Sequence, residues 1–144
     1  FGPVGYGKSG SFEGFCSGGG IAANAERMLS IYNGVTSIPR DNVTARSVAQ
    51  AAVDGDKLAN AIYRKCGEML GRGLSVLIDI LNPEMIVIGS IFERSGFLLK
   101  ESMMSVIEKE ALGISAQMCR IVPAVLGDSI GDFAALGVAK NYAS

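Results

Sequence analysis

Leu81-Asn82-Pro83-Glu84-Met85-Ile86-Val87-Ile88-Gly89-Ser90 is the stretch on which the fold turns. Asn82-Pro83 stops any helix that reaches it, because the proline ring pushes the preceding residue out of the helical region. Met85 to Ile88 is then a short, continuous apolar run closed by Gly89. A strand that is apolar at every position is buried on both faces and reads as parallel to its neighbour. A long helix feeding such a strand is a unit of α/β layering.

Upstream, Leu58, Ile62, Cys66, Met69, Leu70, Gly73, Leu77 and Leu81 recur at steps of three and four. That spacing predicts one long helix, with Asp56 as its cap. Gly67, Gly71 and Gly73 are expensive in a helix interior and imply that another backbone packs very closely there. Before it, Thr44 starts a short helix through Val53, ended by Asp54-Gly55. A linker over residues 36–42 surrounds Pro39. A first helix runs from Ile21, with Ile21, Ala25, Met28, Leu29 and Tyr32 on one side and Asn33-Gly34 as its stop. Residues 1–20 read as loop. Downstream, Ser90 to Gly96 reads as a loop, and Phe97 to Leu112 as an amphipathic helix with Leu98, Met103, Val106, Ile107 and Leu112 inward. A second strand is expected over Gln117 to Pro123, and a last helix over Ile130 to Tyr142, opened by Gly127-Asp128-Ser129.

The 144 residues make one domain, and an apolar fraction of 49% is enough for a core. A net charge of −1 offers no basic field for nucleic acid or anionic lipid. The apolar stretch from Leu74 to Ile91 is broken by Asp79, Asn82, Pro83 and Glu84, so it is no membrane span, and the first residues lack the pattern of a signal peptide. Cys16, Cys66 and Cys119 are far apart and odd in number, which fits reduced thiols in a cytoplasmic protein. With no histidine, histidine base and histidine–metal chemistry are excluded within this chain. A chain opening inside a glycine-rich loop is expected to be the C-terminal piece of a longer protein.

Gly2-Pro3-Val4-Gly5-Tyr6-Gly7-Lys8-Ser9 matches the phosphate-cradling pattern G-x-x-x-x-G-K-[ST]. The pattern needs a buried strand before it and a helix starting at the Lys-Ser pair. Only Phe1 precedes it, and five glycines among the eleven residues from Gly10 to Gly20 make a poor helix. Asp79, at the end of Val76-Leu77-Ile78-Asp79, has the look of a magnesium-holding aspartate but falls inside a helical pattern as a polar-face or helix-end charge. Lys8 therefore reads as a solvated loop residue.

Three segments in order carry a resemblance that covers nearly the whole chain. They are Gly7-Lys8-Ser9-Gly10-Ser11-Phe12-Glu13 with Ser17-Gly18; Ile80 to Ser90 around Asn82-Pro83-Glu84; and Ile121-Val122-Pro123-Ala124-Val125-Leu126-Gly127-Asp128 with Ala134-Ala135-Leu136-Gly137. Together they resemble the C-terminal half of the ROK family of repressors, open reading frames and sugar kinases. The resemblance implies an α/β fold, the C-terminal lobe of an actin-like (ribonuclease-H-like) ATPase, with long helices on a small, mainly parallel sheet. Residues 1–144 would form that single lobe, 1–20 as a glycine-rich substrate loop and 21–144 as the helix and strand core.

By the same resemblance the parent is an ATP-dependent sugar kinase transferring the γ-phosphate to a hexose hydroxyl, using ATP and Mg. The catalytic aspartate lies upstream, no catalytic residue lies in this chain, and the fragment is inactive. Glu13 corresponds to the sugar-binding glutamate. Gly89 and Ser90 correspond to a Gly-Gly pair where adenosine approaches the backbone, with a simple turn as the other reading of Ser90. Asp128 with Ser129 reads as an N-cap of the last helix, or as a nucleotide-side contact. The family's zinc cysteines fall on Val4, Tyr6 and Ser11, so no zinc is expected, with Tyr6 and Phe12 packing in its place. Expected partners are a sugar substrate, the missing N-terminal lobe and other copies of the protein, but neither membrane nor nucleic acid. A sugar-sensing repressor lobe and a non-catalytic binding module are the alternatives.

Overall fold

The computed structural model describes residues 2–142, apart from the side chain of Asp128. Helix α4 (Lys57–Leu81) is the spine. Asp56 caps it, its Oδ1 accepting from the Ala59 N–H at 2.9 Å, and Asn82 ends it in the left-handed conformation at φ 43°. Leu58, Ile62, Cys66, Leu70, Leu74 and Ile78 form its buried stripe. Leu77 and Leu81, expected inward, are exposed, because the buried face steps by four from Leu70 through Leu74 to Ile78. Helices α1 (Phe12–Cys16), α2 (Gly18–Leu29), α3 (Ala45–Val53) and α5 (Ile91–Glu110) all pack on α4. The predicted close backbone is found at Gly67 and Gly71, whereas Gly73 meets the Phe12 ring. A Cβ on Gly67 would stand 2.6 Å from the Leu99 carbonyl oxygen, and one on Gly71 2.6 Å from that of Met103.

Strand β3 (Met85–Ile88) pairs in parallel with β4 (Arg120–Pro123), Ile86 opposite Ile121 and Ile88 opposite Pro123. Ile86 and Ile88 pack on the core, whereas Met85 and Val87 stay exposed, so β3 is covered on one face rather than two. Helix α7 (Ile130–Tyr142) follows a 3-10 turn (Gly127–Ser129) and buries none of its residues.

Several boundaries differ from expectation. Residues 2–20 are not all loop. A hairpin of β1 (Val4–Gly5) and β2 (Lys8–Ser9) leads into α1 and the start of α2. Ser11 and Ser17 supply N-caps that offset the glycines, accepting from the Gly14 and Gly20 N–H groups. Helix α2 ends at Leu29 and not at Asn33-Gly34. The stretch expected as a loop over 90–96 is the first turns of α5, kinked at Ser95 (φ −136°) just before Gly96. Residues Gly113–Met118 form α6, which shortens the second strand at its start, and Leu112 is exposed.

Candidate functional site

The opening stretch folds around Ser11. Tyr6 and Gly7 turn the hairpin with φ of 50° and 74°, the positive values that a tight two-residue turn demands. The Gly10 N–H donates to the Pro3 carbonyl at 2.9 Å. The Ser11 hydroxyl then works in two directions: it donates to the Gly5 carbonyl at 3.2 Å and accepts from the Gly14 N–H at 3.1 Å. Hairpin and helix touch so closely that a Cβ on Gly5 would lie 2.5 Å from the Gly14 nitrogen. Glu13 stands in the first turn of α1, exposed, its carboxylate without a hydrogen bond or ion pair among the described residues. It is an acceptor facing solvent.

This arrangement bears on two expectations. Lys8 sits exposed on a hairpin strand, with no helix starting at it, so the stretch lacks the strand–loop–helix setting of a phosphate cradle. Tyr6 does not pack in place of a metal. It is 94% exposed, while the Phe12 ring lies against Gly73 of α4 and Phe15 is buried beneath Gly2. The position itself does not suit zinc. Val4 and Tyr6 bring no nitrogen or thiolate donor, Ser11 is engaged with backbone, and no group of three potential ligands occurs among the described residues.

A second location is the carboxyl end of the two parallel strands, where α/β folds bind ligands. The Ala124 N–H donates to the Ile88 carbonyl at 2.9 Å, holding the strand ends level. Gly89 is open, since an added Cβ would meet only the Ala124 Cβ, at 3.7 Å. Ser90 adopts φ 52°, ψ −107°, a glycine conformation, and its side chain makes no capping hydrogen bond to α5. Glu93, hidden from sequence reasoning in a supposed loop, reaches the far side of this corner: a Cβ on Gly127 would lie 2.9 Å from its Oε1. The role expected for Asp128 falls on a side chain outside the described residues.

Glu13 and the Gly89–Ser90 corner are stations along one helix. Phe12 docks at Gly73, and α4 rises a further ~12 Å to Leu81 before β3 begins. Neither Cys16 nor Cys66 is an activated nucleophile. Burial pushes the Cys16 thiol up to about 12, aided by Cys66 and Glu13 nearby, and burial pushes Cys66 up to about 12. A groove of about 850 Å³ between α4 and α5 is lined by mixed charges, Arg64, Glu68, Arg72 and Lys109 among them, and touches neither station.

A model of the ROK family matches residues 3–141. The DNA-binding transcriptional dual regulator NagC of Escherichia coli K12 is 33% identical over 97 residues, covering 64% of this chain and 24% of the relative. The xylose repressor of Caldicellulosiruptor bescii is 31% identical over 71 residues, 49% of this chain and 18% of the relative. The chain therefore spans about a quarter or less of the curated relatives it matches. Among solved structures, a proposed sugar kinase from Cytophaga hutchinsonii superposes with a TM-score of 0.77 at 18% identity, over 96% of this chain and 46% of that one. A ROK family glucokinase from Streptomyces griseus, solved with glucose and AMPPNP, gives 0.71 at 20% identity, over 87% and 43%. The fold is that of the ROK sugar kinases, the lobe of long helices on a small parallel sheet that the resemblance implied. No helix among the described residues is long and apolar enough to cross a membrane.

Proposed function

Since the chain belongs to the ROK family, we propose that it is the sugar-recognising lobe of a larger ATP-dependent sugar kinase. Glu13 accepts hydrogen bonds from sugar hydroxyls, and the Gly89–Ser90 corner lets the nucleotide approach the backbone. The observation that carries the kinase reading is Ser90. A serine held in a glycine conformation at the carboxyl end of parallel strands is strain kept where a ligand would lie. This chain offers one wall of the cleft. The remaining parts of phosphoryl transfer are a base for the sugar hydroxyl and a cradle for Mg and the phosphates, and the rest of the parent supplies them. Bound Mg–ATP would supply the phosphoryl group and neutralise its charge. The uncovered apolar residues of α7 and β3, Phe133, Leu136, Met85 and Val87 among them, support further chain packing there.

The test is phosphate transfer from ATP by the full-length protein to glucose, N-acetylglucosamine or xylose. Glu13→Gln should raise the sugar KM about ten-fold or more and leave the ATP KM unchanged, since a hydrogen bond to a charged group contributes about 1.5–3 kcal/mol. Absence of transfer to all three sugars refutes the kinase. A sugar-responsive repressor is the second reading, supported by the 33% identity with NagC. It predicts sugar binding without phosphorylation and sugar-dependent release of DNA by the full-length protein.

A further inference from the structure

We propose that Ser11 is the positioning residue of the sugar site, a hydroxyl cross-link standing where the family resemblance would place a metal ligand. The inference rests on the reading of Glu13 as the sugar acceptor. The loop must hold a short hairpin against a helix of only five residues, Phe12–Cys16, and neither element is stable alone. A zinc ion would do this by binding both, but Val4 and Tyr6 bring no nitrogen or thiolate donor for one. The Ser11 hydroxyl meets the same requirement with one atom. Its proton goes to the Gly5 carbonyl in the hairpin, and its lone pair receives the Gly14 N–H in the helix. Glu13 lies between Ser11 and Gly14, so the two hydrogen bonds fix the backbone turn from which its side chain projects. The absence of side chains at Gly5 and Gly14 is part of the device. A Cβ on Gly5 would stand 2.8 Å from the Ser11 Oγ, and one on Gly14 would strike the Pro3 carbonyl. Ser9 extends the brace, its hydroxyl donating to the Gly2 carbonyl at 3.0 Å.

The experiment compares Ser11→Ala, Ser11→Thr and Glu13→Gln in the full-length protein, titrated with glucose, N-acetylglucosamine and xylose, and separately with ATP. Ser11→Ala should weaken binding of the preferred sugar about ten-fold, the worth of one to two lost hydrogen bonds, and leave ATP affinity unchanged. Ser11→Thr keeps the hydroxyl and should restore it. Hydrogen exchange at the amides of residues 5–14 should speed up in Ser11→Ala, return to normal in Ser11→Thr, and stay at wild-type rates in Glu13→Gln. Wild-type protein dialysed against a mild chelator should retain no stoichiometric zinc. If Glu13→Gln weakens the sugar and Ser11→Ala does not, Ser11 has no positioning role, whereas the loop reading stands. If the wild type binds none of the three sugars, the loop reading fails and Ser11's role falls with it. Equal losses for sugar and ATP in Ser11→Ala, or retained zinc, also overturn the inference.

Discussion

The N–H of Leu112 donates to Oδ1 of Asp79 across 2.8 Å, tying the chain just past α5 back to the last turn of α4. Sequence alone read Asp79 as a polar-face or helix-end charge despite its likeness to a magnesium-holding aspartate, and the structure makes it a fastener between two helices. Asp79→Ala should therefore lower the melting temperature by about 2–4 °C, equivalent to about 1 kcal/mol for one hydrogen bond in a domain this size. It should leave ATP affinity of the full-length protein untouched. A melting temperature equal to wild type, together with lost ATP binding, would return Asp79 to the nucleotide.

Asp56 gives a pH-dependent test. Burial opposes its ionisation, but the Ala59 and Ser37 N–H groups and the Thr36 and Ser37 hydroxyls outweigh it and hold its pKa below the ordinary 3.8. A depressed carboxyl contributes stability above its unfolded value and loses it as pH falls through the folded one. Asp56→Asn, still a competent N-cap, should therefore be less stable than wild type at pH 7, with the gap closing below about pH 4. Urea unfolding at both pH values measures it. A gap that is constant with pH would mean the charge of Asp56 contributes nothing.

Gly71 sets helix propensity against packing. Alanine is favoured over glycine by about 1 kcal/mol in a free helix. Here the new Cβ would lie 2.6 Å from the Met103 carbonyl oxygen and 2.9 Å from the Val106 Cβ, and overpacking of that kind costs about 1–3 kcal/mol. Backbone atoms cannot move aside as a flexible side chain can, so packing should win. Gly71→Ala should lose about 1 kcal/mol net in chemical denaturation, and Gly71→Leu considerably more. A stabilised Gly71→Ala would show that α5 can shift away from α4.

Much of the fold was legible because strong, local signals agreed. Asp56, the three- and four-residue steps from Leu58 to Leu70, and Asn82-Pro83 mark α4, although the buried face continues through Leu74 and Ile78 rather than the expected Leu77 and Leu81. Gly67 and Gly71 foretold the close approach of α5. What misled was chemistry that depends on distant partners. Glycines at 10, 14 and 18–20 argued against helix, yet Ser11 and Ser17 cap two short ones, and close packing of Gly14 and Gly20 requires the missing side chains. The Ser95-Gly96 pair looked like the end of a loop and is a kink. Glu13 was singled out through the family resemblance, but the two-way hydrogen bonding of its neighbour Ser11 was not foreseen, because Ser11 stood out only as a missing metal ligand.

Ser90 offers a prediction in which strain and entropy oppose each other. Its φ of 52° with ψ −107° is comfortable only for glycine. Holding a side chain there costs about 1–3 kcal/mol. Glycine would remove that strain but bring back about 0.5–1 kcal/mol of conformational entropy lost on folding. Strain is the larger quantity, so Ser90→Gly should stabilise the protein by about 1 kcal/mol. The hydroxyl makes no capping bond to α5, so Ser90→Ala, equally strained, should match wild type within about 0.5 kcal/mol. Valine, branched at Cβ, should cost more than either. Thermal unfolding of the three variants separates the contributions. A destabilised Ser90→Gly would mean that the serine holds the corner through its side chain, and an unfavourable Ser90→Ala would identify the hydroxyl as the group responsible. With both variants as expected, the side chain is a burden on the fold, and the backbone conformation is what this corner preserves.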